Sequence, residues 1–131
     1  MTEQDSDRIA ALQRKTAVDT FNKTWDLIDR EERAEGEDLH MLNLAHTSRF
    51  LWGEVGDPVN FARGDWLLSR VYAVLGYGEL SIRYGQQSLE CCERHGITDF
   101  DLAFAYEALA RACLVSGNHQ GSAAYLTRAK T

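Results

Sequence analysis

Glycines recur along this chain at an almost constant interval, and this spacing constrains the fold more than any other feature. The intervals are 20, 20, 20 and 21 residues, and the glycines concerned are Gly36, Gly56, Gly76, Gly96 and Gly117. Glycine commonly follows a helix because it adopts the left-handed conformation without steric cost. Pro58 is the only proline, so little else interrupts long helices. The spacing therefore predicts helices of roughly 16–18 residues, each about 25 Å long.

Residues that favour helix starts follow most of these glycines. They are Asp38, Asp57 with Pro58, the run Thr98–Asp101, and Asn118. Between the breaks, apolar residues recur every three or four positions, as in Val18, Phe21, Trp25 and Ile28. No segment alternates in the manner of a strand. Because short breaks place neighbouring helices antiparallel, the patterns predict an all-α fold of six antiparallel helices.

Pairs of these helices repeat along the chain. At an offset of 41 residues, Arg70, Gly76, Ser81 and Tyr84 are matched by Arg111, Gly117, Ser122 and Tyr125. A helix hairpin cannot bury its apolar face alone, so hairpins of this kind stack on one another. We therefore expect one domain over residues 1–131, with helix pairs at 6–55, 57–96 and 98–131, of which the first diverges most from the repeat.

Two stretches resemble the tetratricopeptide repeat, a family of helix pairs with a W-x2-L-G-x2-Y…A pattern. The first contains Leu68, Ser69, Tyr72, Gly76, Ser81 and Ser88, and the second contains Tyr106, Leu109, Ala110, Gly117, Ser122 and Ala129. The chain departs from the family where Asp65 takes the tryptophan position and Trp66 follows it. Residues 57–131 are also similar to bacterial proteins of this repeat type, to which no activity is assigned. The resemblance implies a right-handed superhelix of three stacked hairpins that binds a protein or peptide.

The resemblance also implies a binding groove, because the first helix of each family pair lines a concave surface. The positions it places there include Arg63, Trp66, Arg70, Glu107 and Arg111. If the first pair keeps the register of the other two, an arginine recurs at one groove position in each pair, as Arg30, Arg70 and Arg111. Independently of the family, Arg63, Trp66 and Arg70 share one helical face. Guanidinium groups beside an indole suit a carboxylate with an apolar neighbour, so an acidic or C-terminal peptide is the expected ligand.

The same arginines also have a purely structural explanation. Arg111 follows Glu107 by four positions, which is a favourable order for an ion pair, and Arg70 could reach the same carboxylate across the helices. Such pairs would fix helix register without any ligand. A second alternative is a homo-oligomeric structural protein or homodimer, in which another copy fills the groove or covers the exposed side of the last helix. That side comprises Ala123, Ala124, Leu126 and Ala129.

A third alternative is a small-molecule or catalytic pocket around His46, Arg49 and Trp66. His40 and His46 are six positions apart and point in nearly opposite directions from one helix, so they cannot chelate one ion. The sequence contains no GxSxG, HExxH or phosphate-binding loop motif. We therefore expect no metal, no cofactor and no catalytic residue, and a binding protein is favoured over an enzyme.

Charge and cysteine usage limit the partners and the compartment. The formal net charge is −6, and residues 1–38 contribute eleven acidic and six basic side chains to it. An acidic chain argues against nucleic-acid binding, and no apolar run is long enough for a membrane span. The first seven residues are polar and acidic, unlike a secretory leader. Three cysteines, two of them adjacent at Cys91 and Cys92, do not suit a disulfide framework, so we expect a cytoplasmic protein.

Overall fold

The computed structural model describes all 131 residues, which form six α-helices and no β-strand. The helices are α1 (Glu3–Ile28), α2 (Glu37–Val55), α3 (Pro58–Val74), α4 (Gly78–Arg94), α5 (Asp99–Val115) and α6 (His119–Ala129). The predicted all-α fold of six helices is therefore confirmed. No helix is both long enough and apolar enough to cross a membrane.

Each helix packs against the next one along the chain, and the tightest contacts join α1 to α2, α3 to α4 and α5 to α6. Hydroxyl groups mark the antiparallel register of α3 and α4. Ser69 Oγ donates to the Ser81 carbonyl at 2.8 Å, and Ser81 Oγ donates back to the Ser69 carbonyl at 2.7 Å. Ser88 Oγ donates to the Ala62 carbonyl farther along the same pair. These small side chains satisfy their own polar groups while allowing the two backbones to approach closely.

The helix α3 is the centre of the molecule. It contacts α2 and α4, its neighbours in the chain, and also α5 and α1. Its residues Leu67, Leu68 and Val71 are almost completely buried and join a core cluster with Leu27 of α1 and Met41 of α2. The first helices of the three pairs, α1, α3 and α5, consequently lie side by side.

Four of the five regularly spaced glycines have the predicted left-handed backbone. Their φ values are +84° at Gly36, +84° at Gly76, +63° at Gly96 and +84° at Gly117. The expectation is wrong for Gly56, whose φ of −99° and ψ of −175° are extended. That position excludes a side chain for another reason, because a Cβ there would lie 2.8 Å from Cε3 of Trp52.

The first helix differs from the prediction in length and in its end. It has 26 residues and ends at Ile28, eight residues before Gly36, so this glycine precedes α2 rather than terminating α1. The intervening charged segment makes local contacts instead of extending the apolar stripe. Arg30 pairs with Glu37, whose carboxylate also accepts the Ala34 N–H. This hydrogen bond, followed by the pull of Arg30, lowers the pKa of Glu37. The last helix, with 11 residues, is shorter than predicted.

We expect Gly85 of α4 to tolerate a side chain poorly. A Cβ at this position would lie 2.9 Å from Cδ2 of the fully buried Leu109 of α5. Gly85→Val should therefore lower the free energy of unfolding by about 1–3 kcal/mol, measured by urea denaturation. Gly53→Val is the matched control on the exposed side of α2, where a Cβ would meet only the end of the Arg49 side chain, and it should not lower that free energy by more than about 1 kcal/mol. A neutral Gly85→Val variant would contradict the close contact of α4 with α5.

Candidate binding groove

One aromatic side chain from each of α1, α3 and α5 forms a row across their shared face. The ring of Trp66 lies 5.4 Å from that of Trp25 and 5.3 Å from that of Phe104, measured between centroids. The Trp66 and Phe104 planes are inclined by only 23°, so the two rings stack. We call these three residues the aromatic row. It places the predicted groove residue Trp66 at the middle of the face.

A cavity of about 250 Å³ opens beside the aromatic row, and we call it the aromatic pocket. Its lining residues are Phe21, Ala62, Arg63, Trp66, Ser88, Phe100, Asp101 and Phe104. Phe100 at its rim is 76 % exposed. An apolar cavity of about 150 Å³ already admits benzene in another protein, so this pocket is large enough for one apolar side chain of a ligand.

Arg63 stands at the rim of the aromatic pocket with its charge already paired. Its Nε lies 2.9 Å from Oδ1 of Asp101, and its Nη2 lies 3.2 Å from Oδ2 of the same carboxylate. The hydrogen bond to Asp101 raises the pKa of Arg63. Arg63 therefore connects α3 to α5, and less of its charge is available to a ligand than the sequence led us to expect.

Arg70 and Arg111 lie near each other beyond the aromatic row, and only one of them has an ion-pair partner. Arg111 Nη2 lies 3.1 Å from Oε1 of Glu107, which is the pair expected from their spacing. Arg70 forms no salt bridge, so the predicted alternative pairing with Glu107 is not made. Its guanidinium carbon lies 5.7 Å from the ring centroid of Trp25. Burial, followed by repulsion from Arg111, lowers the pKa of Arg70.

Three buried hydrogen-bond donors on this face have no acceptor. They are Nε1 of Trp66, Nε of Arg70 and Nη1 of Arg111. Buried polar groups in proteins are nearly always hydrogen-bonded, and an unmade bond to a buried donor costs about 1–3 kcal/mol. All three groups donate and none accepts. The three atoms themselves are shielded from solvent, whereas their residues are only partly buried, so a ligand that brings acceptor oxygens would meet the outer parts of these side chains. We refer to these atoms as the three unpaired donors.

The recurring arginine of the predicted groove is present in only two of the three helix pairs. Arg30 lies beyond the end of α1, in the segment before α2, where it pairs with Glu37. The register assumed for the first pair therefore does not hold at Arg30. The physical reason is that α1 ends at Ile28, so the register of the later pairs does not extend to Arg30.

His46, Arg49 and Trp66 do not form the single pocket considered from the sequence. His46 Nε2 lies 2.7 Å from the hydroxyl oxygen of Tyr72. Arg49 Nε donates to Oδ1 of Asp65 at 2.9 Å, on the side of α3 that faces α2. Trp66 is the residue after Asp65, and consecutive helix residues point about 100° apart. Trp66 therefore lies in the aromatic row, while His46 contacts Tyr72 and Arg49 pairs with Asp65.

Asp65 is a structural residue that the sequence reasoning did not assign. It is 4 % exposed, and its ion pair with Arg49 joins α2 to α3. Burial raises the pKa of the Asp65 carboxyl, and the nearby Arg49 charge opposes this effect. The available signal was an acidic residue among the apolar positions of the interior side of α3, next to Leu67 and Leu68.

None of the three cysteines lines the aromatic pocket. All three cysteines are free, and burial raises the pKa of the Cys92 thiol to about 11. The Cys91 thiol donates to the Pro58 carbonyl at 3.3 Å, on another side of α3. No group of three or more His, Cys, Asp or Glu side chains in the chain is arranged to hold a metal ion.

The Arg49–Asp65 ion pair leads to a prediction about stability. Arg49→Met leaves the buried Asp65 carboxylate without its cation, so the free energy of unfolding should fall by about 1–3 kcal/mol in urea denaturation. Replacing both partners, as Arg49→Met with Asp65→Leu, removes the buried charge and should recover much of the loss. A double variant no more stable than Arg49→Met would contradict this account.

His46 leads to a prediction about pH. Burial lowers the pKa of the His46 imidazole. As the pH falls below the ordinary pKa of 6.5, His46 is therefore protonated in the unfolded chain before it is protonated in the folded protein. The stabilisation from this group is present above pH 6.5 and is lost as the pH falls toward the folded-state pKa. When the pH is lowered from about 7.5 to about 5.5, the melting temperature of His46→Gln should therefore fall by less than that of the unmodified chain. An equal loss in both proteins would contradict this role for His46.

Comparison with known proteins adds no relative to these observations. No family model, curated protein or solved structure matches the chain. The tetratricopeptide resemblance therefore stays a prediction from the sequence. The structure itself shows six packed helices. The face of α1, α3 and α5 carries the aromatic row, the adjacent aromatic pocket and the three unpaired donors.

Proposed function

We propose that the face of α1, α3 and α5 binds a protein segment or peptide through one carboxylate and one apolar side chain. The observation that carries the proposal is the set of three unpaired donors at Trp66, Arg70 and Arg111. A carboxylate supplies two acceptor oxygens in a plane that matches a guanidinium group. The aromatic pocket beside them accommodates the apolar side chain. The chain is then a binding module rather than an enzyme.

Charge supports an acidic peptide over a polyanion. The protein has a formal net charge of −6, and Glu107 and Asp101 lie close to the arginines of this face. A ligand with many negative charges is repelled by this surface, whereas a single carboxylate placed on Arg70 is not. An acidic side chain or a C-terminal carboxylate meets this requirement. Nucleic acid does not.

The lateral packing of α1, α3 and α5 supports a tetratricopeptide-like arrangement, in which the first helices of successive hairpins line one surface. The three free cysteines support a reducing compartment such as the cytoplasm. A homo-oligomer remains the second candidate function. One observation favours it, because Ala123, Ala124 and Leu126 on α6 are exposed to solvent.

Selection and titration together test the proposal. A displayed library of random peptides, with both internal acidic residues and free C-termini, is selected on the full chain. A selected peptide is then titrated by fluorescence anisotropy. Arg70→Met should weaken its binding by about 10–100-fold, because a hydrogen bond to a charged group contributes about 1.5–3 kcal/mol. Its melting temperature should not fall by more than a few degrees, because no carboxylate loses a partner.

Two controls separate ligand binding from a structural effect. Trp66→Phe keeps an aromatic ring in the row but removes the Nε1 donor, so it should weaken binding without a large loss of stability. Arg83→Met removes an exposed arginine of α4 and should leave binding unchanged. Equal affinities for Arg70→Met, Arg83→Met and the unmodified chain would contradict the proposal, as would a library that yields no binding peptide.

A further inference from the structure

The first ten residues of α1, Glu3–Leu12, form a helical extension that is exposed on every side. Beyond this extension, the Arg14 guanidinium donates to the Val55 carbonyl at the end of α2. The extension has its own cap, since Thr2 Oγ accepts the Asp5 N–H at 3.1 Å and Asp5 Oδ2 accepts the Thr2 N–H at 3.3 Å. We call Glu3–Leu12 the α1 extension. A helix of this length gains little stability from its own backbone, and this one has no packing partner within the chain.

One side of the α1 extension carries an acid followed by two large apolar residues. Asp5, Ile9 and Leu12 are spaced by four and three positions, so they share one helical face. Ile9 is 47 % exposed and Leu12 is 65 % exposed. Glu3 and Asp7 add further negative charge at the same end. The extension thus combines the carboxylate and the apolar side chain that the groove requires.

The spacing on the α1 extension matches the spacing in the groove. Asp5 and Leu12 are seven residues apart, which is about 10 Å along a helix. In the groove, Phe104 of the aromatic pocket and Arg111 are also seven residues apart on α5. A helix lying antiparallel to α5 can therefore place Leu12 in the aromatic pocket and Asp5 near the unpaired donors at the same time.

We propose that the α1 extension of one copy of this chain docks in the groove of a second copy. The inference rests on the proposed function of the groove and names its occupant. The extension cannot reach the groove of its own chain, because Glu3–Ile28 is one uninterrupted helix whose later turns form a wall of that groove. Charge supports the assignment, since Glu3, Asp5 and Asp7 outnumber Arg8 on the extension and are opposite in sign to Arg70 and Arg111. Glu107 and Asp29 offset part of the positive charge in the groove, so the contact depends on Asp5 meeting the guanidinium groups directly.

Sedimentation velocity of the full chain tests the proposal with variants at each side of the contact. Leu12→Asp disables only the extension, and Arg70→Glu disables only the groove. The unmodified chain should self-associate as its concentration rises, and each variant alone should sediment as a monomer. Leu39→Asp is the matched control, because Leu39 is 63 % exposed but lies on α2, outside both surfaces. It should associate like the unmodified chain.

Mixing the two variants gives the most specific outcome. The Leu12→Asp protein retains a working groove, and the Arg70→Glu protein retains a working extension. An equimolar mixture should therefore form a heterodimer that grows no further, although neither component associates alone. Arg70→Met replaces Arg70→Glu in the mixture if circular dichroism shows that the glutamate variant does not fold.

Three results would overturn the inference. They are an unmodified chain that stays monomeric at several hundred micromolar, a Leu12→Asp variant that still associates, and a mixture without heterodimer. The proposed function fails separately. If the chain is monomeric but Arg70→Met weakens binding of a selected peptide, self-docking is wrong and the peptide groove stands. If the mixture forms the heterodimer, the second copy is the occupant of the groove.

Discussion

Burial of the apolar side of α3 is the interaction on which the rest of the molecule depends. Leu67, Leu68 and Val71 pack into the core against α1 and α2. On the other side of α3, small serine side chains let the backbones of α3 and α4 approach closely. A hairpin of two helices leaves an apolar face open, and here the middle hairpin covers the faces of both others. The positions of α1 and α5, and therefore of the groove between them, follow from this packing.

The arginines of this chain differ in whether their charge is paired within the protein. Arg63 and Arg49 have carboxylate partners that connect neighbouring helices, and their contribution is structural. Arg70 has none, and a second guanidinium and an indole beside it also keep donors without acceptors. Locally unsatisfied polar groups of this kind concentrate at functional sites in proteins, because a ligand supplies the missing partners. The structure thus distinguishes arginines that join helices, Arg49 and Arg63, from Arg70, which is available to a ligand. Their spacing in the sequence did not show this difference.

Acidic and basic residues are distributed differently between the α1 extension and the groove. Most of the acidic excess belongs to residues 1–38, which include the α1 extension, whereas the unpaired arginine lies on the later pairs. The net charge of the whole chain bears only on nucleic-acid binding. The positions of the charges are more informative, because acidic residues lie on the α1 extension and positively charged donors lie in the groove. In our proposal these are the two sides of one contact.

The sequence alone determined the helices and the local pairs, because these depend on residues close together in the chain. Glycine conformation at Gly76 and Gly117, the shared face of Trp66 and Arg70, and the Glu107–Arg111 pair all belong to this class. The end of α1 at Ile28 was not predicted, because no glycine or proline marks it and the Glu, Arg and Ala residues that follow still favour a helix. Only the tertiary structure decided that Asp65 and Asp101 hold arginines and that three donors stay unpaired. Those contacts join residues that lie far apart in sequence, so they exist only once the hairpins have stacked.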